Sequence, residues 1–408
     1  MNTTQAMDTM PGKAIDFPIP RSCPFHPPAE FKAVQRQPAL ARVKLWNGNE
    51  AWLVTRYEDF RAVLKDKRFS ADTRQPNFPS PTPGILVARG HYRAFVSMDE
   101  PEHNTHRRML SADFSRKRID SMRPQLQAIV DELVDELLAK PRPVDFFKDF
   151  ALPFPTRVIC RMLGVPYDAH EFFQERAEIM MSTTSTVEEA VKAGKELIDE
   201  YLGDLIDEKA RHPGDDILIR LVHNHMLPGH ISRGELLAMS RLLLAAGHET
   251  TANVTAMSVL TLLRHPEQLA ELKAKPELIP GAIEELLRYL DPTQGGRRRV
   301  ALEDVEIAGQ LIRAGEAVVA LNHVANRDEL NFEDPDRFDI HRNVEHHVAF
   351  GDGIHQCLGQ DLARAELDIV LSTLFRRIPT LRLAVPPEEV EFNDERVVYS
   401  LRALPIDW

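Results

Sequence analysis

Residues 349–359 read AFGDGIHQCLG and hold Cys357, one of only three cysteines in 408 residues, among Gly351, Gly353 and Gly359 and beside Phe350 and His355. The thiolate, not the thiol, ligates metals, and at neutral pH it exists only in positive surroundings. Glycines permit positive φ angles and close approach, so successive backbone N–H groups of this loop can turn inward on the sulfur. A helix-like run over about 358–376 would add the positive end of its dipole. No second cysteine and no histidine pair at zinc spacing stands nearby, which argues against structural zinc. A lone thiolate suits a metal whose other ligands come from a cofactor, and haem iron is the obvious case. The bland alternative is a small core cysteine.

Other reactive types recur upstream. AGHETT, residues 246–251, puts a carboxylate and two hydroxyls midway along an apolar run, where they are costly unless paired or watered. Gly247 and the hydroxyls of Thr250 and Thr251 can loosen a helix there by competing for its carbonyls. His103 and Arg107, in EPEHNTHRRML, are four apart and share a helical face. Arg297, Arg298 and Arg299 are consecutive, and Glu285 and Arg288 are spaced i, i+3. Either pattern alone is common on solvated faces.

The elements that would position these groups are legible from periodicity. Helical patterning dominates from about 101 to 290. Its longest stretch starts at a Ser232/Glu235 capping box and stops at Pro266, and is apolar enough on most faces to be buried through the middle. Two β-favouring runs flank Asn47-Gly48-Asn49, a hairpin signal. The Pro- and Gly-rich stretch 70–100 reads as a long functional loop. Strand-like VEIAG and LIRAGEAVVAL precede the cysteine loop, and short strands follow the last helix to Trp408. Residues 1–20 are expected to be flexible and 21–408 to form a single large domain.

Composition narrows the function. With 43% apolar and 27% charged residues and a net charge of −12, the chain lacks the basic balance of a general nucleic-acid binder. No run reaches the length of a membrane span, and the first residues lack a signal-peptide apolar region. Cys23, Cys160 and Cys357 are scattered and odd in number, so no disulfide framework is expected and the cytoplasm is the default location.

FGDGIHQCLGQDLARAE, from Phe350 to Glu366, resembles the haem-binding signature of the cytochrome P-450 family, F-G-x-G-x-H-x-C-x-G then L-A-R-x-E, at every fixed position. The resemblance implies a mainly α fold with small β-sheets, and haem b between the long central helix and the helix after the cysteine loop. It implies Cys357 as the proximal iron ligand, Phe350 packed by the sulfur, Gly351 and Gly359 in the cradle, and His355 as a donor to a haem propionate. His103 and Arg107 would reach the propionates, with Arg299 the best match among the three arginines. AGHETT resembles the oxygen-activation segment, which gives Thr250 a hydrogen bond to dioxygen and Glu249 a proton relay. Glu285 and Arg288 would be a buried structural pair completed by Arg337 or Arg342. Leu242, Leu243, Ala246 and Thr293 would face substrate.

The match runs from about residue 15 and looks like the soluble bacterial branch that acts on natural products and drug-like molecules. It implies a monomeric monooxygenase inserting one atom of dioxygen into an apolar small organic substrate. No flavin- or iron–sulfur-binding segment is recognisable, so electrons are expected from a ferredoxin and its reductase, docking near Arg107 or Arg108 and Arg364. A peroxygenase or nitric oxide reductase on the same scaffold, or a non-catalytic haem sensor, are the rival readings. Both enzymes tend to depart from an acid–threonine pair, which this chain keeps at Glu249-Thr250.

Overall fold

The computed structural model describes residues 14–21, 23–82, 93–182, 184–344, 346–393 and 398–408. Of the segment expected to be flexible, residues 1–13 lie outside this range. That expectation fails for the residues that follow. Ile15–Asp16 forms strand β1, parallel to β2 (Ala41–Lys44), and Phe17 is buried against Phe31. Two apolar side chains in three residues had a sheet edge and a core to cover. Residues 83–92 of the expected long loop also lie outside the described range.

The hairpin forms as its turn residues require: β2 pairs antiparallel with β3 (Glu50–Val54), and Gly48 sits at φ 83°. The main sheet is mixed and six-stranded, in the order β1-β2-β3-β9-β6-β4. Here β4 is Phe69–Ser70, β6 is Arg297–Ala301 and β9 is Ala317–Ala320. Pairing of β6 with β9 sets Arg299 opposite Val318. The smaller sheets are β5 (Val144–Asp145) with β10 (Arg382–Leu383) and β13 (Pro405–Asp407), β7 (Val305–Ile307) with β8 (Gln310–Ile312), and β11 (Phe392–Asn393) with β12 (Ser400–Leu401).

Helices make up most of the rest. The central helix is Arg233–Arg264, about 48 Å long at 1.5 Å per residue. Its capping box is complete: Glu235 N–H donates to Ser232 Oγ at 3.2 Å and Ser232 N–H to Glu235 Oε2 at 2.7 Å. It ends at His265, where Pro266 begins the next helix. Residues 236–240 and 251–262 are all buried, yet Ala246, between them, is exposed. An exposed alanine midway along a buried helix marks an internal cleft.

The helix after the cysteine loop, Gln360–Arg377, packs on the central helix and on Arg116–Leu138. Beside it, in the helix Ile279–Leu290, Arg288 grips Glu285 with two hydrogen bonds of 2.7 and 2.8 Å, both side chains fully buried. Arg342 completes the network through Nε to Glu285 Oε1 at 3.2 Å, whereas Arg337 is exposed and pairs with Asp339. That resolves the choice the sequence left open.

Candidate active site

The cysteine loop is folded by its own backbone. Cys357 N–H donates to Phe350 O at 2.9 Å, and Gly351 N–H to Val348 O at 2.9 Å. Gly351 and Gly353 take φ 75° and 70°, as expected. At Gly353 a Cβ would stand 2.4 Å from Leu64 O, so the loop lies directly on the helix Tyr57–Lys65. Asp352 fastens it there through Arg61 (2.8 Å) and Lys65 (3.3 Å).

Gly359 departs from expectation. Its φ is −87°, ordinary for a residue preceding a helix. Among the described residues, chain neighbours aside, no atom lies within 4 Å of where its Cβ would be. What this glycine keeps clear is space, not a left-handed backbone.

Cys357 is half-buried. Burial pushes its thiol up, while the Gly359 N–H and the charges of Arg297, Arg107 and Arg364 favour the thiolate. Metal coordination removes the burial objection, because a coordinating thiol is deprotonated outright. Phe350 packs in the same place, its ring 4.7 Å under the Arg364 guanidinium.

The expected propionate donors converge. His103 and His355 meet edge to face, and Arg299 and Arg107 lie close enough to disfavour charge on both histidines. Burial, then Arg299, His103 and Arg107, hold His355 down to about 2. Burial also brings Arg299 down to about 10. His103 Nε2 and His355 Nδ1 are buried without a protein partner among the described residues. Four basic side chains gathered beside a thiol, with two unsatisfied ring nitrogens, fit the two carboxylates of haem b. The residues present suit that cofactor.

Across the cleft, the AGHETT segment stays α-helical without a break, so the expected loosening does not interrupt the ladder. The side chains add second donors to its carbonyls instead: His248 Nδ1 to Leu244 O (2.6 Å), Thr250 Oγ1 to Ala246 O (2.9 Å) and Asn253 Nδ2 to Glu249 O (2.9 Å). Glu249 and Thr250 are half-buried and Thr251 is buried. Of the four expected substrate residues, Leu242 is half-buried and Ala246 exposed. Leu243, by contrast, is 6% exposed and belongs to the hydrophobic core, because one residue turns the helix by 100°. Thr293 is half-buried and paired in a β-bridge with Val398, and its hydroxyl is held by Asp291 Oδ1 at 2.6 Å and Asn322 Nδ2 at 2.7 Å.

Sequence reasoning missed two groups here. Glu366 is buried behind Thr251, and burial pushes its carboxyl up to about 8 against the Thr251 hydrogen bond. It ends the L-A-R-x-E run, so the motif itself carried the signal. Glu284 is bound by Arg364 at 2.7 and 3.0 Å and by His347 at 3.0 Å. No local spacing announces that triad, whose members are 17 and 63 residues apart along the chain.

Among the described residues no helix is long and apolar enough to cross a membrane. The sequence profile of the cytochrome P-450 family matches residues 165–406. Pentalenic acid synthase of Streptomyces avermitilis is 45% identical over 404 residues, covering 98% of this chain and all of the relative. Vitamin D3 dihydroxylase of Streptomyces griseolus is 46% identical over 393 residues, covering 96% of each chain. The solved structure of mycinamicin VIII C21 methyl hydroxylase from Micromonospora griseorubida, bound to mycinamicin VIII, superimposes with a TM-score of 0.91 at 42% identity, covering 97% of this chain and all of that one. With its cysteine loop, basic cluster and cleft-lining central helix, the chain belongs to the cytochrome P-450 family of haem-thiolate monooxygenases.

Proposed function

We propose that this enzyme hydroxylates an apolar natural-product-like molecule in the cleft beside the central helix, with electrons from a ferredoxin and its reductase. The observation that carries the reading is the opening of the buried central helix at Ala246, flanked by Glu249 and Thr250. Names of relatives support the substrate class, since one hydroxylates a methyl group of mycinamicin VIII and another dihydroxylates vitamin D3.

Haem supplies oxygen binding and reductive activation, which no side chain can perform. Cys357 would hold it from one side, and His103, Arg107, Arg299 and His355 by its carboxylates. Thr250 Oγ donates to Ala246 O at 2.9 Å, which leaves its lone pairs to accept a hydrogen bond from a water in the cleft. Rotation about the Cβ–Oγ bond would break the contact with Ala246 O and let the hydroxyl give its own proton onward while it takes the water's, so that Thr250 stays neutral. Glu249, on the same helix and half-buried, would exchange protons between this hydroxyl and solvent. Leu242, Ala246 and Thr293 would bound the substrate, and their apolar surface excludes water from it. We place the enzyme in the cytoplasm as a monomer, in keeping with its three free cysteines.

The test is coupling. Thr250→Ala should bind haem and substrate nearly as wild type while most reducing equivalents are lost to peroxide, and Thr250→Ser should restore product. Equal coupling in all three proteins would remove Thr250 from the relay.

A further inference from the structure

Between residues 236 and 262 of the central helix, seven residues fall short of full burial: 241, 242, 245, 246, 247, 249 and 250. Six of them form two i, i+4 ladders, 241–245–249 and 242–246–250, which lie side by side. At 100° per residue the two ladders cover about half the helix circumference. They are one continuous face, open to the cleft. Arg241 stands at one corner, about 8 Å along the axis from Ala246 and about 14 Å from Thr250.

An arginine at this place is chemically odd. Among the described residues none offers its guanidinium a hydrogen bond, an ion pair or an aromatic face. Burial lowers its pKa, and among the described residues no carboxylate opposes the effect. Arg241 is half-buried, and the two arginines whose side chains are fully buried, Arg288 and Arg327, are satisfied. Arg288 has Glu285 and two carbonyls, and Arg327 has Asp336 and the carbonyls of Phe25, Tyr289 and Pro335. A guanidinium stays charged even when half-buried, so without a protein partner it depends on cleft water or on a ligand. Its five donors in a planar fork match a carboxylate.

We propose that Arg241 anchors an acidic group of the substrate, so that the cleft takes apolar small molecules bearing a carboxylate and presents a carbon remote from that group for oxidation. This rests on the monooxygenase reading above and names its substrate class. The anchor fixes the acid end, and the distance to Thr250 along the helix then sets which part of the molecule is oxidised.

Haem-loaded enzyme would be titrated with saturated fatty acids of eight to sixteen carbons and with a tricyclic diterpene acid, each paired with its methyl ester. Binding is read by the low- to high-spin shift and, independently, by the rise in melting temperature. We expect at least one acid to bind ~10-fold tighter than its ester. Arg241→Met should abolish that preference, Arg241→Lys should keep part of it, and the ligand-free Met variant should melt at or above wild type, because an unpaired charge has been removed. If no acid outperforms its ester, or the preference survives Arg241→Met, the anchor is wrong. A ligand-free Met variant that melts well below wild type would make Arg241 structural and also overturn the proposal. Esters that bind as well as acids leave the monooxygenase reading intact. A carbon monoxide difference spectrum lacking the thiolate band would sink that reading instead, while the melting shifts still report on the acid preference.

Discussion

The rings of His103 and His355 stand 4.4 Å apart between centroids, edge to face, and each keeps a buried nitrogen that no described residue satisfies. In His103 the Nδ1 faces Asn104 Oδ1 at 2.9 Å, and the Asn104 amide nitrogen is committed to Glu100, so Nδ1 must donate. Its Nε2 can therefore donate only in the imidazolium form, which an adjacent carboxylate favours. We predict that His103→Phe weakens haem retention by about 2 kcal/mol, the scale of one charge-assisted hydrogen bond. The apoprotein should still fold. Transfer of haem to apomyoglobin measures the first, and far-ultraviolet circular dichroism of the apoprotein the second. Unchanged transfer would separate His103 from the cofactor.

Arg342 and Arg337 should differ sharply. Arg342 is tied to the fully buried Glu285 and to the carbonyls of Asp334 and Arg337, whereas Arg337 is 64% exposed beside two carboxylates. Removing one partner of a buried ionic network costs about 3 kcal/mol, against at most about 1 for a surface pair. Urea unfolding of Arg342→Ala and Arg337→Ala tests this. Equal losses would mean that Arg342 does not complete the network.

Much of this site was legible because its groups are local in sequence. Cys357 and His355 lie in one loop, and Glu249 and Thr250 on one helix whose ends were marked by a capping box and a proline. What escaped depends on rotation and long-range pairing. Leu242 and Leu243 are equivalent as letters, yet only the helix phase against the core decides which one opens to the cleft. Arg337 and Arg342 are likewise indistinguishable until the loop between them is folded. Gly359 was expected to turn the backbone, and nothing in the sequence distinguishes that need from a need for room.

Glu284 should make stability pH-dependent in a defined window. Burial alone would raise its carboxyl, but hydrogen bonds from His347 and Arg364, with the charge behind them, win and hold it at about 2. The Ala349 N–H donates to His347 Nδ1 at 3.2 Å, which leaves the Nε2 proton facing Glu284. Because the folded pKa lies below the unfolded one, the stabilisation is complete above about pH 4.5 and disappears as pH falls toward 2. Allowing for partial exposure, it amounts to about 2 kcal/mol. Glu284→Gln should therefore melt lower than wild type at pH 6, and the gap should close steadily below pH 4.5. A gap independent of pH would refute the ionic account.

Arg108 is the strongest remaining candidate for docking an electron donor. Of the expected basic patch, Arg364 is engaged twice by Glu284 and Arg107 belongs to the cluster around Cys357. Arg108 alone of the three is exposed and without an ion-pair partner among the described residues, and Arg116, Lys117 and Arg118 follow exposed at the start of the next helix. The chain as a whole carries −12, so an acidic ferredoxin would meet general repulsion and must rely on such a local patch. Steering by opposite charges accelerates association and fades as salt shortens the Debye length to about 8 Å at physiological ionic strength. Ferredoxin-supported turnover should thus fall with added salt, and Arg108→Glu should lower its kcat/KM roughly tenfold at low salt. Peroxide-driven turnover requires no docked protein and should respond to neither change. If both routes respond alike, the donor docks elsewhere, and the exposed arginine is only a solvated side chain.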